Sequence, residues 1–360
     1  MKKLIVHIGT AKAGSSTIQR FLTINQKRLA DDCKVWIADH NMELGLEFER
    51  FPIAYFESLF DQTDLRNRLN VLANTWEKFA CKMERSGKTT AIISAESLSS
   101  SPAYTEFFES AAHHFQIHVI AYFRRQDEWI ASAWKQWPMK SGVPMEDYAR
   151  QCMAAKSPRF LDVFERWKRI ADPGNICIKP LADRFLNPQG LAKDFAETAG
   201  IHHDLLDYDM PVVNSTFDYS ILSILQSKPS IFRNGHDNEL FHYLDKFPEL
   251  TKQCGKSAFL SGSLQRLIMD SFEEENREMH RKFFPHLEYD DVFGLRPETE
   301  QEPPSLIQAL SEVTAIQFKM LQVLDQEVEK LKQRNSPTAW LMSLRNLLRR
   351  WKRSAQKRIY

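Results

Sequence analysis

The sequence predicts an α/β fold: three layers about a central parallel sheet, followed by a C-terminal helical extension. Two observations carry this. Apolar runs of strand length alternate with helical periodicity through the first half of the chain. That alternation builds right-handed strand–helix–strand units. After about Pro188 the strand signals fade and helical patterns follow one another.

Taken in order, the strands are Leu4–Ile8, Lys34–Ala38, Thr90–Ser94, Ile117–Phe123 and Ile176–Pro180. Each is a short apolar run, as strands buried on both faces require. Helical patterns fall at Ser15–Leu29, Asp64–Arg85 and Gln126–Trp137, then at Tyr219–Gln226, Asn238–Leu244 and Leu264–Phe283. Residues 1–292 therefore read as one domain, helical from about 188. The polar, proline-bearing stretch 293–305 reads as a linker. Residues 306–334 form one long amphipathic helix, suited equally to packing on the body or to self-association. Ser336 and Pro337 then start a last helix, 336–360.

The 360 residues suffice for one large domain with appendages. Net charge is +1, so bulk charge implies no polyanionic partner, and nucleic acid is not expected. Cys33, Cys81, Cys152, Cys177 and Cys254 show no metal spacing and read as reduced thiols of a cytoplasmic protein. The first apolar run is too short for a signal peptide, and no segment approaches the ~18 apolar residues of a membrane span.

Chemistry concentrates at strand ends, where ligands of parallel sheets bind. The first strand runs into Gly9-Thr-Ala-Lys-Ala-Gly14, then Ser15, Ser16 and Thr17 open a helix. Strand, glycine turn and helix start make a P-loop-like anion site. A Walker loop would carry lysine at position 15 and hold Mg²⁺ with the next hydroxyl. Here Ser15 follows Gly14, and the cation is Lys12, inside the loop. That placement suits a nucleotide whose reactive group hangs on its 5′-phosphate better than a γ-phosphate. The fourth strand ends in Arg124-Arg125, and Ser132 lies about two helical turns on. Arg124 and Ser132 can grip a second phosphate; the competing account is that Arg125, Asp127 and Glu128 merely make surface ion pairs.

HIGTAKAGSST resembles the 5′-phosphosulfate loop of sulfotransferases, and YFRRQDEWIASAW resembles their 3′-phosphate motif. The likeness is nearest to the bacterial branch acting on glycans and related metabolites. It spans most of the first ~290 residues, with weaker stretches at VVNSTFDYSIL and FEEENREMHRKFFP. It implies 3′-phosphoadenosine 5′-phosphosulfate as donor and requires no metal. It assigns Lys12, Ala13, Gly14, Ser15, Ser16 and Thr17 to the phosphosulfate, and Arg124 and Ser132 to the 3′-phosphate. Lys12 is then the catalytic cation. Glu96 matches the acidic position of the Glu-Lys-[Ser/Thr] stretch and is the expected base, given partial burial. His40, then Glu43, are the runners-up. His7 reads as a core histidine. Trp129, Trp134 and Trp137 could stack on sugars, although their helical spacing favours core packing.

In the tail, Trp340, Leu341, Leu344, Leu347, Leu348 and Trp351 share one face among seven basic residues. That suits either an anionic membrane surface or docking on the chain's own body. A membrane-lying tail would make the acceptor a glycan, glycolipid or lipid-linked glycan. The competing readings are a P-loop kinase with an aberrant loop and a non-catalytic, membrane-associated nucleotide-binding protein.

Overall fold

The computed structural model describes residues 2–38, 42–46, 64–201, 204–210, 217, 219–244, 260–295 and 306–334. Its centre is a five-stranded sheet: β1 (Lys2–Ile8), β2 (Val35–Ala38), β3 (Thr90–Ala95), β4 (Phe115–Phe123) and β5 (Ile176–Pro180). All four pairings are parallel, in the order β2-β3-β1-β4-β5. The expected α/β class is the fold observed. Because β1 is central, the chain leaves it in one direction for β2 and later crosses it to reach β4. The carboxyl ends of β3, β1 and β4 thus lie side by side at the switch point.

Helices fill both faces and one end. They are α1 (Ser15–Ile24), α2 (Gln26–Asp31), α3 (Leu65–Arg85), α4 (Ala103–Glu109), α5 (Gln126–Gln136), α6 (Met145–Ala154) and α7 (Phe160–Trp167). Beyond β5 come α8 (Leu191–Ala199), α9 (Tyr219–Gln226), α10 (Glu239–Leu244), α11 (Gly262–Ser271), α12 (Glu273–Phe283), α13 (Tyr289–Val292) and α14 (Leu306–Arg334).

Alternation along β1 sorts two cores. Leu4, Val6 and Ile8 face Trp76 and Phe79 of α3, with Phe107, Phe108 and Trp167. Ile5 faces Ile18, Phe21 and Leu22 of α1 and Phe195 of α8. His7 sits edge-on to Phe195, with Nδ1 2.7 Å from Ser94 Oγ, and burial pushes its pKa down to about 3. It is a neutral core group. A third core joins Ile130 and Trp134 of α5 to Ile221 and Leu222 of α9 and to Leu264 and Ile268 of α11.

The elements depart from expectation at three points. The helix expected over Ser15–Leu29 breaks at buried Asn25. There Nδ2 donates to the carbonyls of Phe21 (3.0 Å) and Asp207 (2.8 Å), and Oδ1 accepts from Asp207 N–H (2.8 Å). The helix over Leu264–Phe283 breaks at Phe272, because α11 turns Ile268 to the third core while α12 turns Met279 to the first. The linker cannot begin at Phe293. That ring is buried against Phe123 and Tyr289, so the body continues past 292.

Asn25→Ala should lower unfolding free energy by about 1–2 kcal/mol, because water replaces part of what exposed Asp207 loses. Urea denaturation measures this, and an unchanged midpoint would show that the α1–α2 break needs no side-chain tie.

Candidate functional site

The loop after β1 is drawn tightly against its neighbours. Gly9 N–H donates to Ala95 O (3.1 Å) at the end of β3. A Cβ on Gly9 would stand 2.7 Å from Ser15 Oγ and 3.2 Å from Glu96 Cα, so only glycine fits. Thr10 is buried and its hydroxyl donates to Tyr122 O on β4. Trp129 Nε1 of α5 donates to Ala11 O (2.8 Å), and Ser99 Oγ to Gly9 O (3.2 Å).

Two left-handed residues then turn the chain into α1. Lys12 has φ 64° and Gly14 φ 85°. A lysine there carries strain on the order of 1 kcal/mol, held by the loop's other contacts. At Gly14 a Cβ would also stand 2.3 Å from Leu191 Cδ2. No side chain caps α1; within its first turn Thr17 N–H donates to Gly14 O (3.0 Å). The buried Ala13 side chain joins the second core, so only its backbone can serve a ligand. Of the expected hydroxyls, Ser15 is buried, 3.4 Å from Thr10 O, while Ser16 is exposed and Thr17 half-buried.

Cations gather over this loop. Lys12 is half-buried, with Nζ 4.9 Å above the Trp137 ring. Burial pushes its ammonium below the ordinary lysine range; Glu96 pulls it back up, and Arg124 and Lys140 add to the fall. Arg124 follows β4 directly and is half-buried, as is Ser132 on α5. Lys135 lies one turn beyond Ser132 on the same helix face, and burial and then Arg124 bring its pKa down to about 7. Buried Lys140 donates to Asn238 Oδ1 (2.6 Å) and Gly235 O (3.2 Å). The expected motifs did not single out Lys135 or Lys140. Lys135 was legible as a lysine three residues after Ser132 in an aromatic helix; Lys140 depends on residues almost a hundred positions away.

Three expectations change here. Arg125 and Asp127 form no surface pair: both are buried in a bidentate fork (Nε–Oδ1 2.8 Å, Nη2–Oδ2 2.5 Å). Gln265 also donates to Asp127 Oδ2 (2.6 Å), and Arg125 Nη1 to Gly294 O. The pair thus clamps the start of α5 onto the C-terminal helices. Glu96 opens a 3₁₀ turn, 96–99, within electrostatic reach of Lys12, but it is exposed, so the partial burial expected of it is absent. Trp134 is core, with Nε1 2.7 Å from Val143 O, whereas Trp137 stands at the site. His40 lies outside the described residues, and Glu43 is exposed.

Beside Thr17 opens a cavity of about 390 Å³, lined also by residues 189–192 and 208–210. Tyr208 stacks on Phe21 (5.5 Å), and its buried hydroxyl has no hydrogen-bond partner among the described residues. Buried Asp194 fixes one wall: it accepts from Tyr122 Oη (2.7 Å), Lys179 Nζ (2.9 Å) and Asn187 N–H (2.9 Å). Among the described residues, no cluster of three His, Cys, Asp or Glu side chains could hold a metal ion. No helix there is long and apolar enough to cross a membrane.

No protein-family model and no curated protein matches the chain. Among solved structures it is similar to a sulfotransferase from Alicyclobacillus acidocaldarius. Identity is 13%, covering 59% of this chain and 87% of that one, with a TM-score of 0.32. It is also similar to a retinol dehydratase in complex with androsterone and the inactive cofactor PAP, at 11% identity over 82% of each chain, with a TM-score of 0.26. Both superpositions are loose.

Lys135 makes stability depend on pH. Its folded pKa of about 7 lies below the unfolded lysine value, so its cost is full below about pH 7 and is relieved as pH rises towards 10. Lys135→Met should therefore stabilise the protein at pH 6.5 by about 1–2 kcal/mol, with the gain shrinking at pH 9.5. Urea curves at both pH values test this; an equal gain at each would detach Lys135 from the titration.

Proposed function

We propose that the chain is a sulfotransferase. It moves a sulfuryl group from 3′-phosphoadenosine 5′-phosphosulfate to a hydroxyl or amine of a glycan, glycolipid or related metabolite. The observation that carries this is the half-buried Lys12, its ammonium depressed by burial and further by Arg124 and Lys140, beside a start of α1 that no side chain caps. Such crowding is unfavourable alone and is relieved by a multiply charged anion. A second support is the cavity beside Thr17, lined in part by Tyr208, with room for a nucleoside.

In this reading the loop backbone, Lys12, Ser16 and Thr17 hold the phosphosulfate end. Arg124 and Ser132 hold the 3′-phosphate, and the Thr17–Tyr208 cavity takes the adenosine. The bound donor supplies an activated sulfuryl group and departs as adenosine 3′,5′-bisphosphate. Lys12 Nζ meets the charge growing on the leaving phosphate oxygen, and its loosened proton is ready to be shared there. The α1 N-terminus acts on the same charge. The exposed Glu96 carboxylate, within electrostatic reach of Lys12, takes the acceptor's proton. We place this chemistry in the cytoplasm. Segment 336–360, which lies outside the described residues, would hold the enzyme to an anionic inner membrane surface and bring it to lipid-linked acceptors.

Calorimetric titration with adenosine 3′,5′-bisphosphate, without metal, against ATP with Mg²⁺ tests the donor site. Binding of the first alone is expected; binding of ATP alone overturns the reading. Lys12→Ala should cut transfer about 10²–10³-fold with unfolding unchanged. Arg124→Ala should weaken the bisphosphate but not a nucleotide lacking the 3′-phosphate, and equal losses would make Arg124 structural. Glu96→Gln should depress turnover and leave donor binding intact.

Removing residues 336–360 should abolish flotation with anionic liposomes and leave binding of the bisphosphate unchanged. Undiminished flotation would take the membrane away from this segment.

A further inference from the structure

Among the described side chains, helix α14 docks on the body by one face. Val313, Ile316 and Met320 pack against the third core beside α9. A different face carries Ile307, Leu310, Phe318, Leu321, Leu324 and Val328, all exposed: Ile307 is 80% exposed, Phe318 68% and Leu321 61%. Isolated exposed leucines need no account, but six along one helix do.

The spacing is the informative part. Positions 307, 310, 314, 317, 321, 324 and 328 follow each other by alternating steps of three and four, the heptad repeat of a helix that packs along its length on another helix. Phe318 flanks that seam. Thr314 and Gln317 occupy its two polar positions, and both are exposed. A polar layer within an apolar seam costs stability but selects one register. The docked face has a different offset, so packing α14 on the body leaves the seam uncovered.

From this we infer that α14 pairs with α14 of a second copy of the chain, forming a two-helix coiled coil along the 307–328 seam. The occupant follows from area. The exposed fractions amount to roughly 600 Å² of apolar surface per chain, the upper end of what monomers carry as their largest patch. Two such seams facing each other bury about 1,200 Å², the threshold of a stable interface. A seam facing its own copy is isologous, so the assembly closes at two. This inference is independent of the sulfuryl-transfer reading.

Sedimentation velocity of the full chain from 1 to 50 µM tests it. A concentration-dependent dimer is expected, and Leu321→Glu with Leu324→Glu should return it to monomer. Both residues are exposed, so the variant should keep the wild type's circular dichroism spectrum. Should that variant misfold, hydrogen exchange of the wild type answers instead: amides of 306–334 should gain protection as concentration rises. A wild type that stays monomeric overturns the inference. So does a dimer that survives the double substitution, which would place the interface elsewhere. A monomer whose seam is protected at every concentration would show that the chain covers it with another of its own segments. A monomer that floats with vesicles only while Leu321 and Leu324 are intact would assign the seam to a lipid surface.

Discussion

The site depends first on how closely three strand ends are drawn together at Gly9. The glycine lets Ser15 and the backbone of Glu96 approach to distances that no side chain permits. Thr10 is tied to β4 and Gly9 to β3. With both flanks fixed, the chain reaches the start of α1 only through left-handed turns at Lys12 and Gly14. The lysine backbone is strained between two anchored ends, and its ammonium lies over the Trp137 ring.

Electrostatics then defines what the loop favours. Burial does most to push the Lys12 ammonium below the ordinary lysine range. Arg124 and Lys140 push the same way, and Glu96 compensates from an exposed position. In the sulfuryl-transfer reading proposed above, a multiply charged anion would offset this arrangement. The Arg125–Asp127 fork adds rigidity, its buried charges paired and hydrogen-bonded as their desolvation demands. Its charges cancel inside the body, and its ties to Gln265 and Gly294 fix the orientation of α5.

Much of this architecture was legible because it is local. All five strands are contiguous apolar runs; the glycine loop and Arg124 sit at their ends, and Ser132 on the helix that follows β4. What stayed hidden is long-range. Asn25 breaks a helix only because Asp207 offers it hydrogen bonds. Phe272 breaks another because two cores compete for one periodic stripe. Arg125 looked like a surface charge, since Gly294 and Gln265, which help enclose it, lie more than a hundred residues away. Tyr208 had no signal, as its cavity is assembled from three separate segments. Glu96 shows the limit of position alone: the strand end is as expected, but nothing in its motif foretold exposure.

The central place of β1 has a consequence for how the chain is made. The strand that organises the sheet is synthesised first, yet its partners begin only at Thr90 and Phe115. Until they emerge, an apolar segment has nothing to pair with, and closing such distant contacts is slow. Early folding therefore hinges on keeping β1 apart from other chains. For the same reason β1 is not a trimmable edge: without it, the sheet is not shortened by a strand but cut into two unconnected pairs.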